Sequence, residues 1–475
     1  MFFVGGTGMN YEKLQSVWAE KYRTVPSQLE KIKHVPSVAT AFNTNVDAIL
    51  KIKGKTLEKL ILDNNISLAD LENITLSGFN RPSDVILGIV KCFCRGIAEE
   101  WVTDDINIYN WMEENLGYNR LQMGGQAGII ANALALLGVK KVLAHTNSHP
   151  KLQAQQFLNL DNLLGINDRG VPEKAVDISR ETDIPLIHWI IEFDKNDSFQ
   201  IGNKIFICPK SNRFIATYDP LNMKLVMNKG FVSYLNTHKI SYLLLSGFHP
   251  LLENNGGLEL IKNAVPVLQK WKKYNPNLII HLEIASTQDK VIRKAIVDKI
   301  VPLADSVGLN ERETIDLLNI LGQSDLAMNI EKNTNSSFLF DALLFLKKTL
   351  KVKRIQLHMF GLYMTLQDRD FIHSAVQNLN GMMTAAVVSS SKAYNGELAK
   401  YEDVIKTLDM YVSPLGLDEL NGLSEKLHKP ELLNTGICEV ENYILSAVPT
   451  IIVEKPKTLV GMGDTISSVS LLAGG

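Results

Sequence analysis

Near the end of the chain, Val460-Gly461-Met462-Gly463-Asp464-Thr465-Ile466-Ser467-Ser468 combines two glycines, an acid and a run of small hydroxylated residues ahead of an apolar segment. That order reads as a loop feeding a helix N-terminus. Gly461 and Gly463 let the backbone turn tightly and bring bare N–H groups close to an anion. Asp464 stands where those groups point. It could take a proton from a hydroxyl while they hold the charge that develops. A plain structural turn is the other reading of the same residues.

Further acids sit at the ends of apolar runs. His281-x-Glu283 follows Leu278-Ile279-Ile280, and alternation along a strand puts both side chains on one side. Asn310-x-x-Glu313 follows Ser306 to Leu309. It reads as a capping box for the helix Thr314 to Leu321, with Asn310 as N-cap and Glu313 as the reciprocal acid. A buried Glu283 needs a partner. A divalent cation shared by Glu283, Glu313 and Asp464, partly through water, would provide one, and hard oxygen donors suit Mg²⁺. Asn43-Thr44-Asn45-Val46-Asp47 ends the apolar run Val38 to Phe42, where a ligand site or an Asx turn are both open readings. Ser246-Gly247-Phe248-His249 follows another such run. Gly124-Gly125-Gln126-Ala127-Gly128 opens a small-residue helix that Gly138 would close. It matches neither G-x-G-x-x-G nor G-x-x-x-x-G-K-[ST], so a dinucleotide fold and a P-loop nucleotidase are poorly supported.

The elements that must position these residues follow a β-then-α rhythm. Residues 10–33 carry helical periodicity, and strands are expected at 38–42, 142–145, 241–246, 277–284, 305–309, 354–358 and 450–453, with helices between them. This predicts an α/β fold with a large doubly wound, mostly parallel sheet covered on both faces. Residues 184–193, 204–208 and 213–218 are β-rich with hairpin-type breaks, a smaller antiparallel insertion. The predicted division is a large nucleotide-binding domain of 1–47, 118–180 and 218–475, with a lid of 48–117 and 181–217.

The 475 residues are 45% apolar and 21% charged with a net charge of −2, which gives no electrostatic case for nucleic acid or an anionic membrane surface. Cys92, Cys94, Cys208 and Cys438 have no C-x-x-C or zinc-like spacing and read as free thiols in a reducing compartment. Met1 to Gly6 lacks the basic leader of a signal peptide. No apolar run approaches the ~20 residues of a membrane helix. A soluble cytoplasmic protein is expected.

Taken together, Asn43-x-Asn45-x-Asp47, Gly124-Gly125-Gln126-Ala127-Gly128, His281-x-Glu283, Asn310-x-x-Glu313 and Gly461-x-Gly463-Asp464 resemble, in order and spacing, the ADP-dependent phosphofructokinases and glucokinases of the ribokinase-like superfamily. The resemblance covers nearly the whole chain, lid insertions included. It implies transfer of the β-phosphoryl of ADP to a sugar hydroxyl, in carbohydrate metabolism. Asp464 would be the general base, with the amides around Gly461 and Gly463 as anion hole. Glu283 and Glu313, with Asp464 nearby, would hold Mg²⁺. Asn310 would contact an ADP phosphate, and Val453, His358 and Gly463 would line the nucleotide site. Asp47, Gly124, Gly125 and His188 would contact the sugar, within the motifs that also carry Asn43, Asn45 and Gln126. Arg213 in the lid would clamp a phosphate.

The same resemblance ties a glutamate at Glu100 to glucose, and basic lid residues such as Lys210 and Arg213 to the phosphate of fructose 6-phosphate. Both are present, and the register between Glu99 and Glu100 is open. The expectation leans to a phosphofructokinase that also phosphorylates glucose. Alternatives are a glucokinase only, an ATP-dependent ribokinase-like sugar or nucleoside kinase, and a non-catalytic binding protein, which would not need Asp464.

Overall fold

The computed structural model describes residues 11–287 and 289–475; the expectation for Met1 to Gly6 lies outside them. Among the described residues an eleven-stranded sheet forms the body. From one edge its order is Ile437–Val440, Tyr443–Pro449, Leu362–Asp368, Arg354–Met359, Ser306–Leu309, Ile279–Glu283, Tyr242–Leu245, Val38–Ala41, Val142–Ala144, Leu163–Ile166 and Pro172–Lys174. The run from Arg354–Met359 to Leu163–Ile166 is parallel throughout, and the flanking pairs are antiparallel. The central strands are buried end to end, as strands covered by helices on both faces must be.

A second, five-stranded sheet has the order Glu99–Thr103, Asn212–Tyr218, Ile187–Phe193, Asn45–Lys51, Arg120–Gly124. It carries its own apolar core, built on Val46, Trp101, Trp189, Phe93 and Phe214, distinct from the core of the large sheet. The chain passes between the two sheets within a few residues. Val38–Ala41 is an inner strand of the large sheet, and Asn45–Lys51 follows it in the small one. In the reverse direction, Arg120–Gly124 ends in the small sheet and the helix Gln126–Leu136 packs against the large one. Both polar motifs therefore stand at crossings between the sheets.

Two expectations need correction. Residues 450–453 are not a strand: that slot is filled by Tyr443–Pro449, paired on both sides, and Ile451 keeps only an isolated bridge to Val412. The helical periodicity of 10–33 is carried by two helices, Tyr11–Tyr22 and Val25–Ile32, since Pro26 starts a new first turn. The β-rich insertion is not purely antiparallel, since Asn212–Tyr218 runs parallel to Glu99–Thr103 and Ile187–Phe193 parallel to Asn45–Lys51. All four cysteines are free. No described helix is long and apolar enough to cross a membrane.

Candidate active site

The glycine turn forms as its residue types require. Gly461 caps the helix Met462–Leu472 in the left-handed region, at φ +61, where a side chain would also meet Ile129 at 2.8 Å. Asp464 lies in the first turn of that helix and is buried. Burial pushes its carboxyl up, against a hydrogen bond from Gln126 and the charge of Lys392. Gly463 is needed for a close approach: a Cβ there would sit 2.8 Å from Nε2 of His358 and 3.5 Å from Oε1 of Glu283.

Glu283 ends the strand Ile279–Glu283, fully enclosed. Its carboxyl is driven well above the usual range, first by burial and then by the charges of Glu313 and Asp464; Ser467 and Arg354 work the other way. Room for it comes from Gly308 on the adjacent strand, where any Cβ would lie 2.1 Å from Oε2. His281, on the same side of the strand, meets Oε2 at 3.4 Å through Nε2 while Nδ1 contacts the Ser306 hydroxyl at 2.9 Å. Burial keeps His281 neutral. Behind this chain lies Arg354, with no exposed surface. It donates to Ser306, Gln356, Ser470 and Asn378, all neutral.

Asn310 and Glu313 do form the reciprocal cap. Asn310 Oδ1 accepts from the Glu313 amide at 3.0 Å, and Glu313 Oε2 accepts from the Asn310 amide at 2.9 Å. The cap does not exhaust the acid. Glu313 is buried and lifted to about 8, by desolvation and by the charges of Asp464, Asp316 and Glu311, against the Asn310 bond. Glu283, Glu313 and Asp464 thus act on one another. Among the described residues no group of three His, Cys, Asp or Glu side chains closes into a metal-ligand cage.

Asn310, His358, Val453 and Gly463 line one cavity of about 300 Å³, with Phe360, Gly361, Thr450, Ile451 and Met462. Its wall of flat and aliphatic groups suits a nucleobase and ribose. His358 is held neutral, near 4, by burial, and its Nδ1 has no hydrogen-bond partner.

A second cavity of about 600 Å³ lies between the sheets, lined by Asn43, Glu99, Glu100, His188, Thr217, Asp219, Asn222 and His249 among others. Glu99 faces Lys91 at 2.8 Å and accepts from the Trp101 indole at 2.9 Å. Glu100 accepts from Thr217 at 2.7 Å and lies 4.0 Å from Nδ1 of His188, so it is the acid of the pair beside the histidine. Burial alone would lower His188. Its bond to Asp219 at 2.9 Å, with the charges of Asp219, Glu100 and Asp47, instead raises it to about 9. Asp47, next to His188 across the strand pair, is raised to about 6 by burial and by Glu100, against His188, Asn45 and Gln122. Gly124 is obligatory beside it, since a Cβ would lie 2.1 Å from Asp47 Oδ1, and Gly125 has φ +71 with Asn43 O 2.7 Å from its Cβ position. Asn45 Oδ1, Gln126 Oε1 and His249 Nδ1 are buried without a hydrogen-bond partner. Of these, His249 lines the cavity, and an unpaired buried polar atom there fits a ligand rich in hydroxyls.

Of the residues expected at the sugar, Asn43, Glu100 and His188 line that cavity, Asn45, Asp47, Gly124, Gly125 and Gln126 stand at the crossing beside Asn43 and not on its lining, and Lys210 and Arg213 are outside it. Arg213 lies on the same face of its strand as Thr217, with Phe214, Ala216 and Tyr218 turned into the core, but at the far end. Lys210 is exposed and packs against Gly96. Sequence reasoning missed Asp219, Asn222, Thr217, Lys392 and Arg354. For Asp219 and Asn222 a signal existed, a polar pair just past the strand Asn212–Tyr218; buried cations within apolar elements leave none.

The family described as "ADP-specific Phosphofructokinase/Glucokinase conserved region" matches residues 36–473. An ADP-specific phosphofructokinase of Methanosarcina acetivorans is 29% identical over 461 residues, covering 94% of each chain. An ADP-dependent glucose/glucosamine kinase of Pyrococcus abyssi is 30% identical over 470 residues, covering 96% of this chain and 98% of the relative. A solved structure titled as an ADP-dependent kinase complex with fructose-6-phosphate and ADPbetaS superposes with a TM-score of 0.80 at 28% identity, covering 98% of both chains.

Proposed function

The chain belongs to the ADP-specific phosphofructokinase/glucokinase family, and from that premise we propose that it transfers the β-phosphoryl of ADP to a sugar hydroxyl, releasing AMP. The leading acceptor is fructose 6-phosphate, giving fructose 1,6-bisphosphate. The observation that carries this reading is the place of Asp464. It lies one residue after Gly463, which lines the nucleotide cavity, and it is hydrogen-bonded by Gln126, at the crossing that borders the sugar cavity.

In that setting the sugar hydroxyl gives its proton to Asp464 as its oxygen bonds to the β-phosphorus and the bond to the AMP oxygen breaks. The amides that follow Gly461 stabilise the transferring group. Asp47, Asn43, Asn45, His188 and the Gly124-Gly125 backbone orient the sugar. Asn310, His358 and Val453 hold the nucleotide. The segments 48–117 and 181–217, which carry most of the small sheet, act as a lid that excludes water, and Arg213 on its cleft-side face reaches a phosphate when it closes.

The donor chemistry of Glu283, Glu313 and Asp464 fits Mg²⁺. All three are oxygen acids, buried, and repel one another, which a hard divalent cation would offset. These residues would hold the metal, whose charge offsets that of the phosphate oxygens. The reaction belongs to glycolysis, and we infer the cytoplasm as its compartment.

One observation favours glucose as a second acceptor. Besides Asp219, which is bonded to His188, the cavity presents Glu100 beside that histidine, and Lys91, which also lines the cavity, is already paired with Glu99. A carboxylate there accepts from a neutral sugar's hydroxyl and repels a sugar phosphate placed against it. Initial rates with ADP and each sugar test both readings. Turnover of neither overturns them.

A further inference from the structure

Lys392 belongs to the helix Ala375–Asn395, which packs along the helix Met462–Leu472. It is buried and forms no ion pair with a carboxylate among the described residues. Its Nζ donates to the Gly461 carbonyl at 3.1 Å and to Thr465 Oγ1 at 3.3 Å. A buried ammonium satisfied only by a carbonyl and a hydroxyl is costly. The charges that act on it are Asp464, from the glycine turn, and Asp47, from the small sheet. It therefore feels the charge of both the proposed base and the proposed sugar contact.

The Gly461 carbonyl receives three donors: Nζ of Lys392, the Thr465 hydroxyl at 2.8 Å and the Thr465 amide at 3.2 Å. That carbonyl and the N–H of Met462 belong to one peptide group. Drawing electron density to the oxygen makes the N–H a stronger donor. Met462 and Gly463 line the nucleotide cavity at the start of the helix, where the free N–H groups gather. The contact also fixes the turn, since Nζ packs 3.0 Å from where a Gly461 Cβ would be.

We infer that Lys392 is a positioning residue for phosphoryl transfer: its ammonium clamps the Gly461 carbonyl, holds the glycine turn in its anion-binding shape and places a positive charge beside Asp464 without bonding to it. The inference rests on the reaction proposed above and adds to it a residue outside every motif the sequence displays. Because the clamp acts on the transferring group and not on bound substrates, its loss appears in kcat.

The test uses Lys392→Gln, which keeps a donor and loses the charge, and Lys392→Ala with ethylammonium added back. The expected result is a fall in kcat of about 30-fold in Lys392→Gln, with KM for ADP and for sugar within about threefold of wild type. In Lys392→Ala, ethylammonium restores at least ~10-fold of the lost rate with saturation, leaves wild type unchanged and does not move the melting temperature. A kcat within about threefold of wild type in Lys392→Gln overturns the inference. So does a folded Lys392→Ala whose rate ignores the amine, since a merely structural lysine predicts that behaviour. Active wild type with unaffected variants refutes this role alone. Wild type inactive with ADP refutes the reaction, and this role with it.

Discussion

Nε2 of His358 lies 3.7 Å from Oε1 of Glu283. The histidine lines the nucleotide cavity and the glutamate belongs to the acid cluster, so the two sites share a wall. Gly463 fits into the remaining gap. Phosphate oxygens of a bound diphosphate would thus meet acids, histidine and helix amides at one place, and the predictions below probe that convergence.

Asp464→Asn should lower turnover by roughly 10³-fold, with sugar and ADP binding retained, because the amide keeps the shape and loses the proton acceptor. Steady-state rates paired with calorimetric titration check it. Turnover within a factor of a few would remove Asp464 as the base.

Glu283→Gln and Glu313→Gln should each raise the Mg²⁺ concentration for half-maximal activity by about tenfold or more. In Glu313→Gln the amide oxygen can still accept from the Asn310 amide, so the helix cap survives. An unchanged Mg²⁺ titration in both variants would leave Glu313 as a helix cap only.

Gly463→Ala should weaken ADP binding more than sugar binding, since its Cβ falls 2.8 Å from His358 Nε2 on the nucleotide side. A loss of about tenfold or more in ADP affinity is expected. Equal loss for both ligands would place the glycine elsewhere in the account.

The His188–Asp219 pair should give stability a defined pH dependence. The folded-state value of His188, about 9, lies above its ordinary value of about 6.5. Its contribution is therefore complete below about pH 6.5 and disappears as pH rises through about 9. His188→Gln should melt below wild type near pH 6, with the gap closing towards pH 10. Asp219 keeps its bonds from Asn222 in the variant, which preserves the site. A gap that is constant with pH contradicts the protonated histidine.

Glu100→Ala should cut kcat/KM for glucose by about 10- to 100-fold and alter that for fructose 6-phosphate less, because it removes an acceptor for a hydroxyl and a repulsion towards a phosphate. An unchanged ratio between the two sugars would show that Glu100 does not choose between them.

Much of this site was legible because its motifs carry periodicity or capping logic. The two-residue spacing of His281 and Glu283 places both on one side of a strand, and they meet. Asn310 and Glu313 satisfy a capping box, and the box is present. What the pattern hides is which buried position takes a polar residue. Lys392 and Arg354 lie in segments whose burial is otherwise apolar or neutral, and nothing in their neighbours announces a cation. Gly308 reads as a strand glycine until the Glu283 carboxyl is found against it. Residues 450–453 failed as a strand because apolar composition cannot tell a paired strand from the lining of a cavity. Tyr443–Pro449 held the hydrogen-bonding slot, and Ile451 and Val453 border the nucleotide cavity instead. Lys210 and Arg213 show the converse limit. Basic type alone does not place a side chain in the pocket.

The central claim is that a nucleoside diphosphate and a hexose meet at Asp464. Its most direct test is the initial rate of AMP formation with ADP and Mg²⁺, measured with fructose 6-phosphate, with glucose and with neither sugar, and repeated with ATP. The account predicts sugar-dependent AMP release in step with sugar phosphate, and little or no transfer from ATP. Preferential use of ATP, or AMP release that does not depend on the sugar, would contradict it.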